Sequence, residues 1–136
     1  MKDKFDLLKQ VPLFADWSRG ELQAVAAVAD QLDVPAATTL TLEGDTAREF
    51  VVLVEGEASV EIQGEPVATL RSGDFLGEIA LLTRSPRTAT VRTTKQSRLF
   101  VLTDRAFRQL ADTVPAFAGR TWRAAAERAG RPARAV

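Results

Sequence analysis

Phe50-Val51-Val52-Leu53-Val54-Glu55-Gly56-Glu57-Ala58-Ser59-Val60-Glu61-Ile62-Gln63-Gly64-Glu65-Pro66-Val67-Ala68-Thr69-Leu70 is the stretch that decides the fold class. Its first five residues are apolar without a break, as in a central strand buried on both faces. In the second run Ala58, Val60 and Ile62 alternate with Ser59, Glu61 and Gln63, giving one core face and one wet face. Glu55-Gly56-Glu57 and Gln63-Gly64-Glu65 separate the runs and read as hairpin turns.

The same cadence extends in both directions. Glycines stand at 44, 56, 64, 73 and 77, and short β-branched runs lie around them: Thr38–Leu42, Phe50–Val54, Ala58–Ile62, Val67–Leu70, Thr88–Arg92 and Leu99–Leu102. Strands at this spacing with glycine turns predict an antiparallel sandwich or barrel over residues 31–103. Before it, residues 1–30 read as helices. Pro12 ends a first short one, and Ser18 with Glu21 forms a capping box that opens a second, carrying Leu22, Val25, Ala26 and Ala29 at helical spacing. Trp17 precedes that cap and can staple against Leu22. After the strands, Asp104 reads as the N-cap of Arg105–Ala111, and Pro115 opens a helix that can run to Ala129 before Gly130 and Pro132. The expectation is one domain over 1–136, with C-terminal helices over 104–130 and a frayed tail over 131–136.

Composition removes whole classes of chemistry. The chain has no His and no Cys. Disulfides, thiol nucleophiles, zinc ribbons, His-ligated metals and Ser-His-Asp hydrolysis are therefore excluded, and no metal or cofactor site is expected. No apolar run of ~18 residues exists for a membrane span, and the N-terminus lacks the apolar segment of a signal peptide, so the expected location is cytoplasmic. The net charge of zero hides an asymmetry. Residues 1–78 hold 15 acids and 6 bases, a net of −9, and residues 79–136 hold 12 bases and 3 acids, a net of +9. Either the two halves attract each other, or an anionic ligand belongs with the second half.

Residues 73–91 interrupt the strands with helix formers: Gly73-Asp74-Phe75-Leu76-Gly77-Glu78-Ile79-Ala80-Leu81-Leu82, then Thr83-Arg84-Ser85-Pro86-Arg87-Thr88-Ala89-Thr90-Val91. A helix start presents free N–H groups to an anion, and the Arg87 guanidinium can grip phosphate oxygens through paired hydrogen bonds. Glu78 can accept from a sugar hydroxyl. One cation, one carboxylate and several backbone donors suit a ligand with one phosphate and one free ribose hydroxyl.

This stretch resembles the phosphate-binding cassette of cyclic-nucleotide-binding domains, the family of the cAMP receptor protein and the protein kinase A regulatory subunits. Leu7-Leu8-Lys9-Gln10-Val11-Pro12-Leu13-Phe14 resembles the family's N-terminal helix and turn, and Glu43-Gly44-Asp45, Phe50–Val54 and Gly56-Glu57 resemble its early strands, so about residues 6–128 are covered. The resemblance implies a mainly β fold, an antiparallel jelly-roll β-barrel with N-terminal helices, a short phosphate-binding helix and C-terminal helices. It implies that Glu78 accepts from the ribose 2′-hydroxyl and that Arg87 pairs with the cyclic phosphate. Backbone donors around Ile79, Ala80, Thr88 and Ala89 would complete the cradle, and Gly77 would admit the close approach of the backbone. Thr88 leaves cAMP and cGMP both open. Trp122 and Arg123, on the C-terminal helix, are the candidate base lid, with Trp122 as an anchor of that helix the alternative. The chain departs from the family pattern at Ala37, where a turn glycine is common, and at Leu76, often aromatic or Ile.

The implied function is a ligand-responsive regulatory or sensor module, not an enzyme, that moves its C-terminal helices to signal to an unknown effector domain or protein. The alternative is the N-terminal sensor fragment of a cAMP-receptor-type transcription regulator; no DNA-reading domain fits in the six residues after Gly130, so no direct nucleic-acid binding is expected. The basic series Arg120, Arg123, Arg128, Arg131 and Arg134 reads as a solvated face. Homodimerisation is left open. A cupin-type enzyme on a similar barrel would need metal-binding His, which the chain lacks.

Overall fold

The computed structural model describes residues 3–77, 81, 84–117, 119–121 and 123. Two helices open the chain: α1, Lys4–Lys9, and α2, Arg19–Val28, joined through a tight 3₁₀ turn at Pro12–Phe14. The capping box stands as expected, with Ser18 Oγ accepting from the Glu21 amide and Glu21 Oε1 accepting from the Ser18 amide. Lys4 Nζ donates to the carbonyls of Ala26 and Ala29 at 2.9 and 2.7 Å. A cation at a helix C-terminus satisfies orphan carbonyls and opposes the dipole, so this contact locks α1 across the end of α2. Ala29 has left the helix and turned extended, though it stays buried.

Among the described residues eight strands follow: β1 Asp30–Val34, β2 Thr39–Thr41, β3 Glu49–Glu55, β4 Glu57–Ile62, β5 Glu65–Arg71, β6 Phe75–Leu76, β7 Thr90–Thr93 and β8 Ser97–Thr103. They form two four-stranded antiparallel sheets, ordered β1-β8-β3-β6 and β2-β7-β4-β5. The expected mainly β jelly roll with flanking helices is therefore present, as two sheets that do not close into one barrel. The turn at Gln63-Gly64 is the expected hairpin. Ile62 pairs with Glu65, and φ is +53° at Gln63 and +81° at Gly64, the double left-handed turn that matches strand twist. Glu55-Gly56-Glu57 is not a hairpin. It is the corner at which the chain passes from the first sheet to the second, because β3 pairs with β8 and β6 while β4 pairs with β5 and β7.

The uninterrupted apolar run of β3 serves two cores. Phe50, Val52 and Val54 face the helices, in a cluster with Leu7, Phe14, Trp17, Leu22 and Phe107; Val51 and Leu53 face the second sheet, in a cluster with Ala58, Val60 and Val91. Trp17 sits edge-on to Phe14 and Phe117, with ring centroids 5.0 and 5.4 Å away. The last described helix of regular length is α3, Asp104–Thr113. Its N-cap is Thr103, whose Oγ1 accepts from the Ala106 amide, rather than Asp104, which lies in the first turn and pairs with Arg108 at 2.7 Å. Phe107, Leu110 and Phe117 are core residues.

The charge asymmetry has a structural account. Of the five ion pairs among the described residues, four join an acid from the first half to a base from the second: Glu61–Arg92, Glu57–Lys95, Asp33–Arg98 and Glu21–Arg120. Arg120 is thus no solvated cation. It bonds Glu21 at 2.8 Å and lies 5.4 Å from the Trp17 ring, tying the C-terminal segment to α2. The Ser18 amide and then Arg120 hold the Glu21 carboxyl below its ordinary range.

Ala37 sits at φ +67° in the turn before β2, with its amide donating to the Thr93 carbonyl at 2.8 Å. An L side chain there carries left-handed strain that glycine lacks. Ala37→Gly is expected to raise unfolding stability by about 0.5–1 kcal/mol, the strain relieved less the extra entropy of the unfolded chain. Urea unfolding checks this; a destabilised variant would mean that the turn holds Ala37 without strain.

Candidate functional site

The site is built around Arg87. Arg87 is only 8% exposed, an unusual position for an arginine. Its Nη2 donates to the Glu49 carbonyl at the start of β3, 2.6 Å away. Its backbone is held in both directions: the Gly44 amide donates to the Arg87 carbonyl at 2.9 Å and the Arg87 amide to the Asp45 carbonyl at 2.8 Å. Two further cross-links hold this segment to β2, because Thr41 Oγ1 donates to the Ala89 carbonyl and the Glu43 amide donates to Thr90 Oγ1.

Gly77 is part of the same seat. It lies at φ +98°, and a Cβ there would strike Arg87 Nη1 and stand 2.6 Å from the Glu49 carbonyl oxygen. Glycine is required on both grounds: the backbone conformation is left-handed, and the guanidinium occupies the space a side chain would fill.

Arg87 lines a cavity of about 450 Å³ together with Thr39, Leu40, Thr41, Leu42, Asp45, Thr46, Arg48 and Glu49. A space of this size accommodates a small organic ligand. Its described lining holds the buried Arg87, the exposed Arg48, the two carboxylate residues Asp45 and Glu49, three threonines and two leucines. An anion bound against Arg87 would meet a desolvated guanidinium, where charge-assisted hydrogen bonds are strongest.

Of the residues singled out in the sequence, the structure brings Gly77 and Arg87 together. Ala89 is buried behind Arg87 and gives its carbonyl to Thr41, while Thr88 is exposed beside them. Arg123 is helical and exposed. Glu78, Ile79, Ala80 and Trp122 lie outside the described residues. The wall formed by residues 39–49 is not among the site residues that the sequence singles out. Its local signals are the Thr-rich run Thr38-Thr39-Leu40-Thr41 and Glu43-Gly44-Asp45, noted only for its likeness to an early strand, and the rest enters through Arg87's bonds to a segment about 40 residues earlier. Among the described residues no group of carboxylates could hold a metal ion, and no helix is long and apolar enough to cross a membrane.

A family profile described as cyclic nucleotide-binding domain matches residues 31–114. The chain is 34% identical over 116 residues to the cAMP-dependent protein kinase regulatory subunit of Emericella nidulans, covering 84% of this chain and 28% of that protein. It is 39% identical over 98 residues to the subunit of the same name from Yarrowia lipolytica, covering 71% of this chain and 26% of that one. The chain thus spans little more than a quarter of these relatives' lengths. In three dimensions it matches cAMP-bound PfPKA-R with a TM-score of 0.80 at 23% identity, over 91% of this chain and 43% of the other. It matches the Thermus thermophilus catabolite activator protein with a TM-score of 0.77 at 20% identity, over 89% of this chain and 59% of the other. A third match, the regulatory subunit of a cAMP-independent protein kinase A from Trypanosoma brucei, has a TM-score of 0.75 at 19% identity, over 85% and 43%. At these identities the likeness extends to the fold.

Proposed function

The chain belongs to the cyclic nucleotide-binding domain family, and from that premise we propose that it binds cAMP as a non-catalytic regulatory module. The observation that carries the reading is the buried Arg87 at the cavity wall, with Gly77 making room for its guanidinium. In this reading Arg87 takes the cyclic phosphate and Glu78 accepts from the ribose 2′-hydroxyl. Backbone donors at Ile79, Ala80, Thr88 and Ala89 complete the cradle. cAMP is placed before cGMP because the relatives are named as regulatory subunits of cAMP-dependent kinases, which also makes a kinase the favoured class of effector. Neither Glu78 nor Arg87 is asked to transfer a proton, so no reaction is assigned.

Signalling in this reading passes to the C-terminal helices. A ligand shifts a conformational equilibrium only by its difference in affinity for the two states. Trp122 and Arg123 are the proposed source of that difference, closing over the base. The Arg120–Glu21 pair, with the Trp17 ring against Arg120 and Phe117, holds the start of the C-terminal helical segment near α2, so the residues beyond it have a fixed base to pivot on.

Competition calorimetry with cAMP, cGMP and 2′-deoxy-cAMP tests the reading. cAMP is expected to bind most tightly. The deoxy analogue is expected to lose about 10–150-fold against the wild type and little against Glu78→Ala, since a hydrogen bond to a charged group contributes about 1.5–3 kcal/mol. Equal losses in both proteins would take Glu78 off the ribose. No heat with either cyclic nucleotide at millimolar concentration would overturn the function.

A further inference from the structure

We propose that Arg48 is a second cation of the ligand cavity, one that faces the bound nucleotide and offsets the carboxylates of the wall on which it stands. The proposal rests on the cyclic-nucleotide reading above and names a residue which that reading does not use.

Between Arg19 and Arg71 the sequence holds ten acids and a single base, Arg48. A lone cation in so acidic a stretch would be expected to pair with a neighbouring carboxylate. Among the described residues it enters no ion pair, although Asp45 and Glu49 line the same cavity. Its side chain is exposed, and it lines the cavity that holds Arg87.

The position of Arg48 is fixed by its backbone rather than by its side chain. Its carbonyl accepts from the Asp104 amide at the start of α3, 2.7 Å away. The next residue, Glu49, pairs with Thr103 across the β3–β8 ladder and gives its carbonyl to Arg87 Nη2. Consecutive Cα atoms lie about 3.8 Å apart. The root of Arg48 is therefore one residue from the anchor of the phosphate-directed guanidinium, while its head is left to the cavity.

The electrostatics of the wall explain what such a cation does. Asp45 and Glu49 would repel an incoming anion, weakening the attraction exerted by Arg87. Arg48 stands between them in the chain and cancels part of that repulsion. Because it is exposed, its effect is screened, whereas that of buried Arg87 is not. The two arginines thus contribute a salt-sensitive and a salt-resistant part of the same affinity.

The experiment is a calorimetric titration of cAMP into the wild type, Arg48→Ala, Arg48→Lys and Arg48→Glu at about 25 mM and about 500 mM NaCl, concentrations at which the screening length differs several-fold. Every substitution keeps the Arg48 carbonyl that holds Asp104, and thermal melting verifies that each variant folds. At low salt Arg48→Ala is expected to bind about 3–5-fold more weakly, Arg48→Glu about 10-fold or more, and Arg48→Lys nearly as well as the wild type, in keeping with an exposed charge. At high salt the differences are expected to shrink to within about 2-fold. Equal affinity of Arg48→Ala and the wild type at low salt overturns the proposal, as does a deficit that salt leaves unchanged. A wild type that binds no cyclic nucleotide overturns the functional reading itself, a result distinct from either.

Discussion

Arg87→Ala is expected to weaken cAMP binding by at least ~30-fold, because a desolvated charge pair contributes about 2–5 kcal/mol. The size follows from burial. Arg87 is 8% exposed and its guanidinium is already positioned by the Glu49 carbonyl, so a phosphate bound there would meet a cation that spends little entropy on being ordered. Arg87→Lys is expected to recover only part of the loss, since an ammonium cannot bond the Glu49 carbonyl and fork to phosphate with the same geometry. The alanine variant also leaves the part-buried Glu49 carbonyl with one donor fewer, at a cost of about 1 kcal/mol of stability. Binding is therefore measured well below the variant's melting midpoint. Unchanged affinity in a folded Arg87→Ala would mean that the phosphate sits elsewhere.

Gly56→Ala is expected to destabilise the fold by about 3–5 kcal/mol. Two costs combine, a non-glycine residue at φ +123° and overpacking of a tight corner. The added Cβ would strike the Ser97 side chain and lie 2.8 Å from the Ser97 Cα, so a rotamer change cannot clear it. Ser97 is itself 3% exposed and pairs with Val34 at the end of the β1–β8 ladder. Gly64→Ala is the internal control. It has φ +81° with nothing within 4 Å of the new Cβ, so it should cost only about 1–2 kcal/mol of conformational strain. Urea unfolding of both variants separates crowding from strain, and similar losses at the two positions would show that the Ser97 contact is relieved without cost.

These two glycines also mark the limit of what a linear pattern tells. Both follow an apolar run and precede another, and both read as hairpin turns. Only Gly64 closes one. A two-residue turn with left-handed backbone is a local property, legible in Gln63-Gly64. Whether β3 and β4 pair with each other depends on β8 and β7, which come forty residues later and take those edges first. β1 was missed for a related reason. Asp30–Asp33 are exposed on both faces, so the strand carries no alternation, and only its ladder to β8 defines it. β6 is two residues long, too short for any periodicity.

The site divides along the same line. Arg87 and Gly77 were legible because a short cassette carries its own chemistry: a cation, and a glycine where the backbone must turn left. The wall opposite them was not, because Thr39, Asp45, Arg48 and Glu49 acquire a role only when the turn before β3 folds against Arg87. The helices were read from their caps and spacing, with Thr103 replacing Asp104 at one of them. The charge halves leave two readings open, mutual attraction or an anionic ligand with the second half, and four ion pairs across the divide support the first.

By itself, then, the sequence determined a β-rich domain between helices, the left-handed turn at Gln63-Gly64, and a short segment that carries both Gly77 and Arg87. These are decided by residues within a turn or a strand of one another, where side-chain period and backbone preference act directly. Tertiary structure alone decided which sheet each strand joins, that the two sheets do not close into a barrel, and which residues face Arg87. Those outcomes depend on hydrogen-bond ladders and packing between segments tens of residues apart. There many pairings satisfy the same alternation of apolar and polar side chains, and only the complete fold selects among them.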